Sequence, residues 1–478
     1  MYNKKSIAGL VLFFTLALAG CNKWKDHTAI EQQDLTINLF QALSTNPELS
    51  KFREYVDKAG LDTVLQATKS FTVWAPTNAA LAGIDPAIVA DVVKLKAFIQ
   101  NHISNQLYFT KDVSTPTSIM MLGGKYNTFN TLKFGEAGLV STDRYVKNGV
   151  LHTINAMVPP LQNIWDFVTT TTAQYAQNAY LTGLTYNAFD ATKATIDSIS
   201  VITGLPVYRP GTGLVQRNYF NDRVYDLKRE DKQYTYFVIQ DANFVVEADS
   251  LKPYYATTVT TTTDSLTRWN VVKDLAYETA YPTALQIPQQ LISKTGISVP
   301  VNIAGLVEVK KCSNGYVYIM SKLDVPTKNK FIPITIQGES PSGFLSDKTG
   351  NTNYRVRLNP ATALNFNDIM VTGHGVTTYY SFYRQNEMPT MKYQVYVLGT
   401  NDFQAAAFNQ TINAWSVPLA AVQGTLTHAV PLYTAIGAYN EMYLGDITIT
   451  RFGTIDWRLT SVTTGPIVLD YIRLVPVP

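Results

Sequence analysis

The clearest alternation of hydrophobic and polar positions along the chain lies in residues 71–81. Phe71 and every second residue after it are apolar up to position 75, which is the period of a strand with one buried face. Pro76 has no backbone donor and ends the strand. Thr77 or Asn78 can then cap a short helix. The pattern therefore predicts a buried strand that leads directly into a helix start.

A second patterned stretch covers residues 148–160. The pair Asn148-Gly149 is typical of a tight turn. The strand predicted after it places three side chains on one face: Val150, His152 and Ile154. The second stretch therefore predicts a strand that begins directly after a tight turn.

Together the two stretches closely resemble the two signature segments of the fasciclin domain family. The residues that carry this resemblance are Phe71, Trp74, Pro76, Thr77, Asn148, Gly149 and His152. The resemblance implies an α+β fold, a β-wedge flanked by helices, and a role in adhesion and extracellular interaction without catalysis.

The same pair of segments occurs again, more weakly, at residues 234–244 and 314–326. The first segments of the two pairs begin 77 and 80 positions before their respective Asn-Gly pairs. A matched order at nearly matched spacing predicts a duplicated domain. Ile239 and Gln240 stand where Pro76 and Thr77 stood, so the turn after the strand is expected to differ.

The N-terminus has the pattern of a targeting segment. Two lysines precede a short apolar run, Ile7–Ala19, which is followed by Gly20-Cys21. This resembles a bacterial lipobox, which implies removal of residues 1–20, lipid on Cys21 and a polar tether over residues 21–34. The alternative is an ordinary secretory signal with an unrelated cysteine.

Domain boundaries follow from these segments: fasciclin-like domain 1 over residues 35–162, fasciclin-like domain 2 over 163–326 and a C-terminal domain over 327–478. In domain 1, two helices are predicted, one from Asn46 to Gly60 and one from Asp85 to Ile103. In domain 2, glycines and prolines predict a long irregular loop over Ile202–Asn221, and Thr257–Thr267 is β-prone. A short helix is expected over Val271–Tyr281.

The C-terminal domain shows no helical period as long as ten residues. Short alternating runs separated by turn residues predict an antiparallel sandwich with strands near Phe331–Ile336, Tyr354–Leu358, Tyr379–Tyr383, Tyr393–Leu398, Glu441–Arg451, Trp457–Val462 and Ile467–Val475. Leu469–Pro476 resembles the closing strand of galactose-binding-like jelly rolls, a group with many carbohydrate-binding modules. The expected fold class is therefore multidomain: two α+β domains followed by an all-β, jelly-roll-like sandwich.

Exposed aromatic rings with polar groups at their edges are what a sugar site requires. Trp415, which lies in a polar sequence and is expected in a loop, is the strongest candidate. The other candidates are Tyr379, Tyr383 and Trp457. Alternation around Ser381 puts Tyr379 and Tyr383 on one face, and we expect the opposite set, Tyr380 and Phe382, to be the core. Each ring could equally be an ordinary part of the core or of an amphipathic outer face.

Composition narrows the remaining classes. Charged residues are 16% and hydrophobic residues 46%, a composition that argues against disorder. The formal net charge is +3 and the sequence has no basic stripe, which argues against nucleic acid as a partner. Catalytic and metal-binding motifs are lacking, so no enzyme, metal or cofactor is expected. His102 and His152 are expected to be hydrogen-bonded structural residues. Cys312, the second of two cysteines, is expected to be a buried thiol.

The sequence thus favours a non-enzymatic lipoprotein of the outer membrane, lipid-anchored and exposed at the cell surface, of the Bacteroidetes type. Its expected role is adhesion or glycan binding, accessory to a glycan-uptake system, with a polysaccharide or a neighbouring outer-membrane protein as partner. The alternative is a scaffold component without sugar affinity. A glycan-active enzyme is the third reading, because paired carboxylates can lie far apart in a chain.

Overall fold

The computed structural model describes residues 33–432 and 439–478. The predicted signal peptide and lipidated Cys21 lie outside the described residues. The chain forms two compact units, and two short segments, Lys228–Gln233 and Lys311–Asn314, belong to the first unit together with the chain up to Trp165. The second unit comprises the rest, including the whole C-terminal sandwich.

The first α+β region consists of five helices and eight strands within the described residues. The helices are α1 Leu39–Ser44, α2 Ser50–Lys58, α3 Asp62–Gln66, α4 Pro86–Ala90 and α5 Val92–Gln100. The strands are β1 Gln33–Asp34, β2 Phe71–Pro76, β3 Ile103–Ser104, β4 Thr117–Met120, β5 Tyr126–Phe129, β6 Lys133–Phe134, β7 Ala137–Val146 and β8 Gly149–Ile154. They form a sheet in the order β3-β2-β8-β7-β6-β5-β4, with β1 parallel to β7.

Strand β2 is buried on both faces, whereas alternation predicted one buried face. Phe71, Val73 and Ala75 pack against the helices. Trp74 points the other way, into a cluster with Phe129, Phe134 and other side chains of the β4–β7 meander. A strand paired in parallel on one edge and covered on both faces reads as a nearly continuous apolar run, which in β2 only Thr72 interrupts. Trp74 therefore belongs to the core of the domain.

The predicted helix starts are confirmed, but one predicted helix is two. Asn46 accepts a hydrogen bond from the amide of Glu48 and caps a 3-10 turn, Pro47–Leu49, that leads into α2. Thr77 Oγ1 accepts from the amide of Ala80 at 3.2 Å, where a second 3-10 turn, Ala80–Gly83, begins. The helix predicted from Asp85 ends at Ala90, because Asp91 caps a new helix by accepting from two amides. A residue that can serve as an N-cap interrupts a helical period that otherwise continues across it.

The second α+β region again combines helices and strands. The helices are α6 Ile164–Thr170, α7 Ala176–Gly183, α8 Tyr219–Arg223, α9 Asp241–Ser250, α10 Lys252–Tyr255 and α11 Thr260–Val272. The strands are β9 Thr185–Phe189, β10 Ile196–Ile199, β11 Pro206–Tyr208, β12 Leu214–Asn218, β13 Tyr234–Ile239, β14 Ala276–Tyr277, β15 Gln290–Ile292, β16 Ser298–Pro300, β17 Leu306–Cys312 and β18 Gly315–Met320.

Its central sheet repeats the strand order of the first region. The order β14-β13-β18-β17 corresponds to β3-β2-β8-β7. Both central pairs are parallel over six residues, and their registers match: Phe71 lies opposite Gly149, and Tyr234 lies opposite Gly315. A Cβ added to either glycine would overlap the carbonyl oxygen of the residue opposite. The glycine of each Asn-Gly pair is thus the first strand residue. It is required by close approach of the backbones, and at Gly315 also by a φ of +140°, which L side chains rarely adopt.

The asparagine of each pair connects the strand to a helix. Asn148 Oδ1 accepts from the amide of Leu39 at 2.8 Å, and Asn314 Oδ1 accepts from the amide of Ile164 at 2.9 Å. Leu39 and Ile164 are the first residues of α1 and α6, so each side chain satisfies an amide at a helix start that has no partner within the helix. The same side-chain function therefore recurs at equivalent places in both regions.

Three predictions for the second region are wrong. The stretch Ile202–Asn221 is not irregular: together with residues 185–201 it forms a β-arm of two successive antiparallel ladders, β9–β12 and β10–β11. The threonine-rich stretch is mostly helical, as part of α11, and the short helix expected after Val271 is replaced by β14. Thr263 and Thr267 are buried on one side of α11, so tertiary packing overrides a weak β-propensity.

The C-terminal part is a β-sandwich, as predicted. After a short helix, α12 Thr327–Lys330, the strands are β19 Ile334–Gln337, β20 Gly343–Phe344, β21 Thr352–Asn359, β22 Leu364–Val371, β23 Tyr380–Met388, β24 Met391–Leu398, β25 Phe408–Val417, β26 Ala421–Val430, β27 Met442–Ile449, β28 Gly453–Ser461, β29 Ile467–Leu469 and β30 Tyr471–Val477. They form sheets in the orders β19-β30-β24-β27, β20-β23-β28-β25-β26 and β21-β22-β29. One hydrophobic core contains inward side chains from all three sheets. The multidomain α+β and β-sandwich fold class is thus confirmed.

Truncation of Trp74 should destabilise the first unit. The indole stacks on Phe134 at 4.5 Å between centroids and is fully buried, so Trp74→Ala should lower the free energy of unfolding by about 3–5 kcal/mol. Urea unfolding of the variant tests this, with the exposed Val93→Ala as control. An unchanged transition would contradict the placement of this ring in the core.

The close approach at the two Asn-Gly pairs gives a second prediction. Gly149→Ala and Gly315→Ala should each lower the melting temperature by several degrees, because the added methyl group forces the parallel strands apart. Gly83→Ala is the matched control, since its Cβ would meet open space. Equal melting of all three variants would show that the strand pairs tolerate a side chain at these positions.

Candidate functional site

The outer face of the five-stranded sheet gathers aromatic and charged side chains from its three middle strands, β23, β28 and β25. Cross-strand pairing places Arg458 of β28 beside Phe382 of β23 and Asn413 of β25. The next row places Asp456 between Arg384 and Trp415. We call this surface the arginine–aromatic face and define it by Tyr380, Phe382, Arg384, Trp415, Asp456 and Arg458.

Arg458 lies at the centre of the arginine–aromatic face. Its Cζ is 3.9 Å from the centroid of the Trp415 ring and 4.5 Å from that of Tyr380. Guanidinium groups stack on aromatic faces through cation–π attraction. The Arg458 Nε is buried and makes no hydrogen bond among the described residues. A polar ligand that reached this group would satisfy a donor that the protein leaves unused.

A second arginine of the face is fully engaged. Arg384 Nε and Nη2 donate to the two carboxylate oxygens of Asp456 at 2.8 and 3.0 Å, and these bonds raise the pKa of the guanidinium. Asp456 is buried, whereas Arg384 is exposed. Asp456 therefore forms its ion pair with Arg384. Among the described residues, no carboxylate pairs with Arg458.

Only one of the four predicted ligand-binding rings lies on this face. Trp415 is half-buried and lies on β25, so its prediction as a loop residue is wrong. Tyr379, Tyr383 and Trp457 are buried in the sandwich core, while Tyr380 and Phe382 face outward, which reverses the predicted orientation.

Hydrogen bonds explain how two tyrosines can lie inside. Tyr383 Oη donates to the carbonyl of Gly338 at 2.9 Å, and Tyr379 Oη donates to that of Ser346 at 3.2 Å. Burial raises the pKa of Tyr379 to about 12 and raises that of Tyr383 as well. Both hydroxyls are thus satisfied within the protein and remain neutral, and neither ring is available to a ligand.

A second aromatic surface, which the sequence analysis missed, lies on the outer face of the four-stranded sheet. Tyr396 of β24 and Tyr443 of β27 are cross-strand neighbours with ring centroids 5.2 Å apart. Tyr443 Oη donates to Asp446 at 2.6 Å, and the Arg473 guanidinium lies over Tyr396 at 4.4 Å. The signal was present in the sequence: Tyr393, Val395 and Val397 alternate with polar positions, which leaves Tyr396 on the outer face.

A buried ionic network occupies the three-stranded sheet. Asp368 accepts hydrogen bonds from Arg355 through both carboxylate oxygens, and from Arg357 at 2.8 Å. Arg357 also pairs with Asp402 at 2.6 Å. Burial, with Asp368 nearby, raises the pKa of Asp470 to about 7. Because two guanidiniums already neutralise Asp368, we interpret the network as a structural connection between strands and the following loop.

The histidines of the first unit are held in defined tautomers. His102 Nδ1 donates to the carbonyl of Phe98 at 2.9 Å, and its Nε2 accepts from the amide of Val158 at 3.1 Å. His152 Nε2 donates to the carbonyl of Tyr108 at 3.0 Å, and its Nδ1 accepts from the amide of Asp143. Burial lowers the pKa of His102 to about 4 and also lowers that of His152. Both are hydrogen-bonded core residues, as expected.

Other chemistry is sparse in the part of the chain that the structure describes. It contains no group of three or more His, Cys, Asp or Glu side chains placed to hold a metal ion. None of its helices has the length and apolar character to cross a bilayer. Cys312 is buried, as predicted.

Comparison with known proteins identifies one domain. Residues 47–160 match the family model of the fasciclin domain, which covers the two signature segments of the first α+β region. This confirms the predicted fasciclin-like identity of the first region. The match spans about a quarter of the chain.

Solved structures with detectable similarity fall into two groups. A FAS1 domain pair from the insect cell adhesion molecule Fasciclin I has 16% identity and a TM-score of 0.24, and covers 60% of this chain and 100% of its own. A family 35 carbohydrate-binding module from Clostridium thermocellum has 12% identity, covers 31% and 100%, and has a TM-score of 0.23. A carbohydrate-binding module of lichenase 5A from Cellvibrio mixtus, solved with cellotriose, has 14% identity, covers 30% and 95%, and has a TM-score of 0.21. With TM-scores this far below 0.5, these likenesses do not indicate a ligand for this chain.

The two core histidines make the first unit sensitive to acid. In the unfolded chain they have a pKa near 6.5, so as pH falls through 6.5 the unfolded state binds protons that the folded state excludes until about pH 4. Stability should therefore be complete above pH 6.5 and should decrease between 6.5 and 4. At pH 4.5, the titration of His102 alone should lower the free energy of unfolding by about 2–3 kcal/mol.

Hydrogen-exchange protection factors of β2 amides at pH 7.0 and 4.5 measure this decrease locally. His102→Asn keeps a donor for Phe98 but does not titrate, so the difference between the two pH values should become smaller in this variant. The same protection at both pH values in the unsubstituted protein would contradict the prediction.

Proposed function

We propose that this chain is a non-catalytic binding protein of the cell surface in which the arginine–aromatic face holds a polysaccharide. The observation that carries the proposal is the stack of Trp415, Arg458 and Tyr380 on an exposed sheet face. Sugars present C–H groups that pack on aromatic rings and hydroxyls that need donors and acceptors. The Arg458 guanidinium supplies donors. The hydroxyls of Thr411 and Thr460, in the adjacent row with Tyr380, accept from Asn413 Nδ2 at 3.3 and 2.9 Å and can still donate.

The α+β regions would then serve as an adhesive surface or a spacer. The first matches the fasciclin domain model, and we propose that the second is a divergent copy. The proposal is supported by the shared strand order, the matched register of the central parallel pair and the equivalent roles of Asn148 and Asn314.

The location follows from the N-terminal sequence. We propose lipidation at Cys21, which would place the chain on the outer membrane as a surface lipoprotein accessory to a glycan-uptake system. The support is the short apolar run that ends in Leu18-Ala19-Gly20-Cys21. A doubly acylated cysteine suffices for stable anchoring without a transmembrane helix.

One observation favours the alternative, a protein-interaction component. The guanidinium of Arg458 already covers one face of Trp415 and of Tyr380, and Arg384 lies 5.4 Å from the Phe382 ring. A surface on which Trp, Tyr, Phe and Arg side chains lie against one another has the composition of the centre of a protein–protein interface. The two functions differ in whether an isolated polysaccharide binds.

Affinity electrophoresis of the full chain carrying Cys21→Ser tests the proposal against a panel of neutral and acidic polysaccharides. We expect retardation by at least one polysaccharide and loss of this retardation in Trp415→Ala and Arg458→Gln, because each removes half of the central stack. Tyr443→Ala, on the other outer face of the sandwich, is the matched control and should be retarded normally. Thermal melting of each variant separates loss of the site from loss of the fold.

The outcomes discriminate between the two functions. Retardation lost only in Tyr443→Ala would move the site to the four-stranded sheet. Retardation unaffected in all variants would exclude both faces. If the folded protein binds none of the polysaccharides, the glycan function is contradicted, and capture of an outer-membrane protein that depends on Trp415 would support the scaffold function.

A further inference from the structure

The β-arm of the second α+β region ends in a tip, residues 199–207, whose aliphatic side chains face solvent. Val201 is fully exposed and Ile202 is 92% exposed. The other aliphatic side chains of the tip are also exposed: Ile199, Leu205 and Val207. A soluble domain gains no stability from such side chains in water. The tip therefore has the exposed apolar composition of a surface that another molecule covers.

The tip satisfies much of its own backbone. The amide of Ser200 donates to the carbonyl of Leu205 at 2.9 Å, and the amide of Gly204 donates to that of Ser200 at 2.8 Å. Ser200 Oγ also accepts from the amides of Ile202 and Thr203, and the Leu205 amide donates to Thr203 Oγ1. The next residue, Pro206, has no amide proton. A segment that enters an apolar medium must satisfy its donors internally.

Charge and aromatic residues are arranged in order behind the tip. Residues 199–207 contain no charged side chain. Directly behind them, Tyr208 packs edge-on against Phe189 at 5.0 Å, and Arg209 pairs with Asp197 at 3.1 Å. This sequence of aliphatic, aromatic and charged groups matches the order of acyl chains, interface and water in a bilayer.

We propose that the tip of the β-arm inserts into the interfacial region of a lipid bilayer. Three residues on each side of the turn reach about 10 Å at about 3.3 Å per residue, the depth at which interfacial segments lie. A protein partner that added a strand would need open donors and one apolar face. Here most amides of the turn, those of Ser200 and residues 202–205, are hydrogen-bonded within the tip. The side chains of Val201 and Ile202 project from the turn, which suits a medium that makes no directional contacts. The insertion is independent of the proposed lipid on Cys21 and of the proposed glycan site.

Vesicle co-sedimentation tests this insertion. The chain from residue 21 onward carrying Cys21→Ser, which has neither the apolar N-terminal run nor a site for lipid at that position, should sediment with phosphatidylcholine vesicles. The double variant Val201→Asp/Ile202→Asp should reduce partitioning by about tenfold or more, because two apolar side chains are replaced by charges. The control Leu285→Asp/Ile292→Asp changes two exposed aliphatic residues outside the arm, 88% and 64% exposed, and should partition normally.

Salt and a local fluorophore complete the experiment. Partitioning should be unchanged between 0.1 and 0.5 M NaCl because the tip carries no charged side chain. Binding through exposed charges would instead weaken as salt screens them. A nitrobenzoxadiazole label at Ile202→Cys should shift to the blue and brighten with vesicles, and the same label at Leu285→Cys should not.

Three results would overturn the proposal. The protein with the unsubstituted tip does not sediment with vesicles, the tip variant sediments as much as that protein, or the label at position 202 shows no spectral change. A dimer in size-exclusion chromatography that is lost in the tip variant, without vesicle binding, would assign the tip to self-association instead. Glycan binding is measured separately on the sandwich, so failure of one proposal leaves the other intact.

Discussion

Close contact between two parallel strands is the constraint on which each α+β region depends. In both regions the central strand lies so near its parallel neighbour that only glycine fits at the first pair, Gly149 in one and Gly315 in the other. The residue before each glycine then spans from the strand to the first helix of its region. One dipeptide thus sets both the strand spacing and the helix position, which explains why Asn-Gly recurs although much of the intervening sequence differs.

The second copy shows which parts of a signature the fold requires. Thr72 and Thr235 occupy the same register position, and each hydroxyl donates to a carbonyl and accepts from an amide of the following segment. Pro76, by contrast, is replaced by Ile239 without loss of the six-residue parallel pair. The backbone geometry therefore depends on the two threonine hydroxyls, which hydrogen-bond the strand to the segment that follows it. The proline is not required, because the second region forms the same six-residue pair with Ile239 in its place.

The sequence patterns predicted element type best where one physical signal dominated. Caps and glycines located the helix at Ser50–Lys58, and alternation located most strands of the sandwich. Prediction failed where two signals competed. The threonines of α11 have weak β-propensity but a buried side, and packing decided the outcome. At Asp91 a helical period continued across a cap, and the period alone concealed the break.

The candidate site was harder to predict because tyrosine suits both faces of a sheet. Alternation separated Tyr379 and Tyr383 from Tyr380 and Phe382, but it could not say which set was inside, since a buried hydroxyl is acceptable once a carbonyl accepts its proton. That partner, Gly338 for Tyr383, lies 45 residues away in the chain and is absent from any local pattern. The arginines would have been the better guide: Arg384 is in phase with Tyr380 and Phe382 along β23, Arg458 is out of phase with Trp457 along β28, and a long charged side chain is rarely placed in a core. Charged positions thus fix the outward face of a strand, and the rings in phase with them are the ones a ligand can reach.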